Sequence, residues 1–210
     1  MSNKIRRDFA CEMRAAQDAE RGSYIEGSPI VYGVYADIGG MYQEIIEPGA
    51  LDKADLRDVR LLVNHNFSMI PLARSRRNNP NSTMQLITHE RGMDIKAGLD
   101  TERNATAREA YSAVDRGDIT GMSFVFFVGD EAWENLNSDY PTRRIKSFDR
   151  VLEVSIVTDP AYSQTSVEAR NADATALESA RAALESARAA AARTAMLADM
   201  EKRIEKIGGK

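Results

Sequence analysis

Three side chains in this sequence are of types that could do chemistry together. His65 closes the apolar run of LLVNHNFSMIPLARS, and strand ends are where a scaffold holds reactive groups. Imidazole takes a proton from an alcohol near neutral pH. Ser123 lies midway along the apolar, aromatic stretch DITGMSFVFFVGD. Strand alternation puts Ile119, Gly121, Ser123, Val125 and Phe127 on one face, and Thr120, Met122, Phe124, Phe126 and Val128 on the other. The second face is bulkier and is expected to meet the core. Gly121 leaves a gap through which a peptide backbone could approach Ser123. A serine hydroxyl is a weak nucleophile until a base accepts its proton, so Ser123 needs a partner such as His65. Glu153, in RVLEVSIV, is a carboxylate in an otherwise apolar strand, costly to bury unless paired. One use for it is to accept the second ring N–H of a histidine and hold its tautomer. Each residue also has a plainer reading: a loop histidine, a serine filling a tight spot, a solvated glutamate. Taken singly, spacing leaves both open.

Other signals are weaker. His89, in THER, has no second histidine four residues on, so no zinc-protease motif exists. One cysteine, Cys11, and two distant histidines make a structural zinc site unsuitable. Arg74, Arg76 and Arg77 form a basic cluster, more often a solvated loop than a phosphate site. No glycine-rich phosphate loop occurs, and no cofactor or metal is expected. The net charge of -4 argues against a general nucleic-acid binder. A lone cysteine suits a reducing compartment. The basic N-terminus lacks a signal-peptide core, and no run reaches the roughly 18 apolar residues of a membrane span. The expectation is a soluble, intracellular protein.

The elements that must hold these residues fall into two regions. Residues 1–168 mix β-branched and aromatic residues with all six prolines. Residues 169–210 are rich in Ala, Leu, Glu and Arg, strong helix formers, with the boundary near 166–173. In the first region FACEMRA reads as an edge strand or short helix, and SPIVYGVYAD as a strand. IGGMYQEII follows as its hairpin partner. EPGALDKADLRD holds a turn, with a short helix as an option. VRLLVNH, STMQLITHE, GMDIKAGLD, the Ser123 stretch and RVLEVSIVT are further strands. TERNATAREAYSAVDRGD is a helix capped by Thr101, with Ala107, Ala110, Tyr111 and Val114 as its stripe and Gly117 as its stop. The sum is α+β: six to eight strands as a curved or closed β-barrel with surrounding helices, plus a C-terminal Ala-rich helix. In that tail ALESARA repeats at once. The repeat puts Leu177, Leu184 and Ala191 on one line and Ala180, Ala187 and Thr194 on the next, the spacing of a coiled-coil seam. A single solvated helix fits as well.

The ordered set LLVNHNFSMIPLARS, ERGMDIKAGLD, GDITGMSFVFFV and RVLEVSIVTDPAY resembles the prohead serine proteases of tailed bacteriophages, from about Ile30 to Ala161. The resemblance implies the fold of the herpesvirus assembly protease, with His65 as base and Ser123 as nucleophile. It implies a serine endopeptidase that cleaves scaffold or capsid-protein extensions, and often itself, inside the assembling prohead in the host cytoplasm. Its partners would be the major capsid protein and scaffold segments, with self-association through the C-terminal helix also open. The herpesvirus enzymes use a second histidine after the nucleophile. None follows Ser123 here, so an acid must serve as any third member. Glu153 fits by strand position, Asp149 and Asp159 are reserves, and His89 is weaker because it precedes Ser123. Asn66 stands where an acid is common, and Ala73 where a glycine is common. The loop holding Arg143 and Arg144 is a candidate for the oxyanion donors. A non-enzymatic assembly protein of the same fold is the alternative reading.

Overall fold

The computed structural model describes residues 4–10, 13–18, 22–158 and 174–208. In chain order the strands are β1 (Lys4–Ala10), β2 (Met13–Asp18), β3 (Gly22–Val31), β4 (Tyr35–Ile38), β5 (Tyr42–Ile46), β6 (Asp58–Val63), β7 (Ala73–Arg76), β8 (Met84–His89) and β9 (Gly92–Gly98). Helix α1 (Ala105–Asp115) follows, then β10 (Gly121–Glu134), β11 (Thr142–Val157) and helix α2 (Ala174–Gly208). The fold is mixed α+β and mostly sheet.

Among the described residues the strands make two sheets and do not close into one barrel. The larger runs β1-β10-β11-β5-β4, with β6 paired to β11 and β7 paired to β6; the smaller runs β2-β3-β9-β8. The long strand β11 explains the departure from the expected barrel. Its first residues pair in parallel with β5, at Thr142–Ile145, and its last with β6, at Glu153–Ile156. The sheet therefore forks along β11 instead of wrapping round. Register shifts between β10 and β11 fall at Val125/Phe126, Phe127/Val128, Val128/Asp130 and Asp130/Glu131, and such bulges bend and twist a ladder. The two sheets share one core. Ile25, Met93 and Ile95 of the smaller sheet meet Met122, Phe124, Phe126, Val154 and Ile156 of the larger. The bulky face of β10 thus points inward, with Phe126 and Phe148 rings 4.4 Å apart.

Local chemistry moves several boundaries. The run SPIVYGVYAD is split at Gly33, which takes φ 73; β3 ends before it and β4 begins after it. The β4–β5 hairpin turns through Gly39 and Gly40, both at positive φ. No helix forms in EPGALDKADLRD, which is turns and a bridge. Helix α1 is capped by Asn104, whose side chain accepts from the Ala107 N–H at 3.2 Å. Thr101 is not the cap: the helix begins only at Ala105, and the Thr101 hydroxyl bonds Ser23 at 3.0 Å. Strand β7 forms within LARSRRNNP, and β10 runs on through Trp133.

Helix α2 uses its first turns on its own body. Ala180 and Leu184 are buried against Ala36, Ile38 and Tyr42, and Arg188 donates to the carbonyls of Leu136 and Ser138 at 3.0 and 2.9 Å. Part of the heptad seam therefore faces the β4–β5 hairpin. Further along, Met196, Leu197, Met200 and Ile204 are exposed. The boundary expected near 166–173 lies outside the described residues. No helix among the described residues is long and apolar enough to cross a membrane.

Gly92 shows how tightly the smaller sheet is built. It has φ 141, and a Cβ there would lie 1.9 Å from the Ile30 carbonyl oxygen. Gly92→Ala should destabilise the chain by more than the roughly 1–3 kcal/mol that such backbone strain alone costs. The midpoint of urea unfolding measures this.

Candidate active site

His65 is delivered by the parallel pairing of β6 with β11. The chain leaves β6 through Asn64 and His65, at φ 49 and 57, a left-handed conformation that non-glycine residues rarely adopt. It is held there from three sides. The Asn64 N–H donates to the Ile156 carbonyl at 3.0 Å, the Asn64 side-chain oxygen accepts from the Thr158 N–H at 3.1 Å, and the His65 N–H donates to Ser155 Oγ at 3.1 Å. This bend swings the imidazole back over β11, where His65 Nδ1 lies 2.6 Å from Glu153 Oε1.

Glu153 has no exposed surface. Its other oxygen, Oε2, accepts from Ser155 Oγ at 2.6 Å. A buried carboxylate with both oxygens bonded is a stable arrangement, and one that orients a histidine. Strand alternation explains the grouping, since Glu153 and Ser155 are two residues apart and share a face. Ser155 is the residue that sequence reading did not single out. A serine two residues from Glu153 carries no signal of its own.

Ser123 stands directly opposite Ser155 in the β10–β11 ladder. Such partners place their Cβ atoms about 4.5–5.5 Å apart on one face. The structure thus brings His65 and Glu153 into contact and sets Ser123 one strand away on the same side. Ser123 is fully buried, and its hydroxyl donates to the Arg7 carbonyl of β1 at 2.8 Å. The backbone that lies beside Gly121 and Ser123 is that of β1, with Ala10 opposite Gly121 and Asp8 opposite Ser123.

The other candidates lie elsewhere. His89 ends β8 in the smaller sheet and pairs with Asp94 at 3.1 Å. Asp149 precedes Glu153 on β11, and its carbonyl accepts from the Asp55 N–H at 2.8 Å. Asp159 and Cys11 lie outside the described residues. Asn66 closes a turn by accepting from the Ser68 N–H at 3.0 Å, and Ala73 is buried at the start of β7. Arg74 is paired with Asp58 at 2.6 Å, which holds that carboxyl below its ordinary range.

Arg143 and Arg144 are on β11 itself, not in a loop, and their side chains are occupied by acids. Arg144 bonds Glu134 at 2.6 Å. Arg143 joins a buried network that sequence reading missed. Glu44 of β5 takes a two-pronged bond from Arg7, through Nε and through Nη2 at 2.6 Å. Arg143 Nη1 reaches the same carboxylate at 3.2 Å and its Nε reaches Glu131 at 3.0 Å. Burial pushes the Glu44 carboxyl up, but the Arg7 and Arg143 guanidiniums outweigh it and hold the group below its ordinary value.

The model of the caudovirus prohead serine protease family matches residues 9–179, which is most of the chain. The chain belongs to that family. It is therefore a serine peptidase of phage capsid maturation, and the matched span contains His65, Ser123, Glu153 and Ser155. No curated protein and no solved structure matches the chain.

Two outcomes follow for this phage protease. Ser155→Ala removes a hydroxyl that serves both the His65 N–H and Glu153, leaving buried polar groups unpaired. It should cost about 1–3 kcal/mol of stability, read by denaturant unfolding. Glu44→Gln should cost about 3–5 kcal/mol at neutral pH, because breaking a buried pair leaves charge uncompensated. Since the folded carboxyl is depressed, the Glu44 contribution is complete above its unfolded value of 4.5 and is lost only as pH falls through the lower folded value. The gap between Glu44→Gln and the unaltered chain should therefore narrow in acid, in unfolding curves run at neutral and acidic pH.

Proposed function

We propose that this chain is the prohead maturation endopeptidase of its phage, cutting scaffold segments or capsid-protein extensions, and itself, within the assembling shell in the host cytoplasm. The observation that carries the reading is the His65–Glu153 bond at 2.6 Å, set one strand from Ser123 in a member of this family. In the reaction Ser123 Oγ bonds to the scissile carbonyl carbon while its proton passes to His65. His65 then gives that proton to the departing amine as the C–N bond breaks. Water, activated by the same imidazole, releases the acyl half. Glu153 holds the His65 tautomer and stabilises the imidazolium. Kinship of the sheet with the herpesvirus assembly protease belongs to the same proposal, as does docking of the exposed end of α2 on capsid or scaffold helices.

A non-catalytic assembly protein of the same fold is the second reading. It is favoured by one fact, the commitment of the Ser123 hydroxyl to Arg7.

The test is co-expression with the cognate capsid protein, following the masses of both chains. Ser123→Ala should abolish processing, and His65→Ala should be comparably severe, because such residues act as a unit. Glu153→Gln should lose less than either. Processing by Ser123→Ala at the unaltered rate would leave the non-catalytic reading standing, or a different nucleophile.

A further inference from the structure

Strand β1 does more than complete a sheet. It runs antiparallel along the part of β10 that carries Ser123, from Lys4 opposite Phe127 to Ala10 opposite Gly121. A serine nucleophile must hand its proton to a base, yet here that proton is held by the Arg7 carbonyl at 2.8 Å. The strand is also latched. Arg7 is 5% exposed and grips Glu44 with two nitrogens. β1 and β5 are separated by two strands in the sheet order, roughly 14 Å if it were flat, so the latch spans the curl of the sheet.

These are the features by which an extended peptide is recognised. Main-chain bonds along a sheet edge supply affinity, and pockets for individual side chains supply selectivity. β1 has both: a seven-residue ladder on β10 and one cation seated on a buried carboxylate. The two-pronged geometry fits the planar fork of arginine and not the point charge of lysine.

We propose that the β10 edge from Gly121 to Phe127 is the binding track for an extended peptide bearing an arginine that Glu44 selects. β1 is the resident occupant, and it keeps Ser123 idle until it is displaced. This rests on the reading of Ser123 as nucleophile. Arg7→Ala loosens β1 while leaving Glu44 bonded to Arg143.

The test uses the full chain and a fluorophosphonate probe, with labelling at Ser123 followed by peptide mass mapping. Arg7→Ala should label at least tenfold faster than the unaltered chain. Adding the peptide KIRRDFA should slow it again, and the same peptide with alanine at the position of Arg7 should not. A chain with Lys4→Cys and Phe127→Cys, in a Cys11→Ser background, ties β1 to β10 when oxidised. It should resist labelling until reduced. Labelling of Arg7→Ala no faster than the unaltered chain, or equal labelling of the oxidised and reduced tie, would overturn the proposal. If no form labels at Ser123, the nucleophile reading fails, and the track is judged by fluorescence anisotropy of fluorescein-tagged KIRRDFA on Arg7→Ala. Saturable binding that needs the arginine supports the track, and its absence removes it.

Discussion

The candidate site depends on one buried charge. Glu153 sits in the middle of β11 with no exposed surface, where an unpaired carboxylate would cost several kcal/mol. Its two oxygens are answered by His65 and by Ser155. This requirement accounts for the surrounding architecture. β6 must lie parallel to β11 so that its end reaches the carboxylate. Asn64 and His65 must adopt left-handed backbone so that the ring turns back. Residue 155 must carry a hydroxyl, because Ser155 Oγ bonds both the acid and the His65 N–H.

The apolar core makes that charge tolerable by fixing the strands. Phe124, Phe126 and Phe148 form one aromatic group beneath β10 and β11. Their alternation with Ser123, Val125 and Glu153 sets which residues face the site. A slip of one residue in the ladder would exchange the two sets. The buried network of Arg7, Glu44, Arg143 and Glu131 adds an electrostatic tie between β1, β5, β10 and β11.

Much of this was legible in the sequence. Period-two alternation assigned the inward face of β10. The hairpin glycines and the Ala107, Ala110, Val114 stripe were equally plain. What was hidden is of two kinds. Strand β7 points Ala73 and Ser75 inward, small residues that give no hydrophobic signal. Asn104 and Thr101 are both good caps, and the Thr101 hydroxyl is engaged with Ser23, far away in the chain. The second kind is long-range pairing. Arg7 meets Glu44 and Ser123 across 37 and 116 residues, and nothing local in RRDF or YQEII announces such partners. The fork of the sheet along β11 is hidden for the same reason, since it depends on which distant strands share one neighbour.

The far half of α2 has a mechanical meaning. From Ala189 to Lys206 it continues as helix beyond the turns that rest on the hairpin, a rod roughly 27 Å long. Because its base is fastened through Leu184 and Arg188, the rod is a ruler and not a tether. Anything gripping its tip would hold the His65–Glu153 pair at a set distance and bearing.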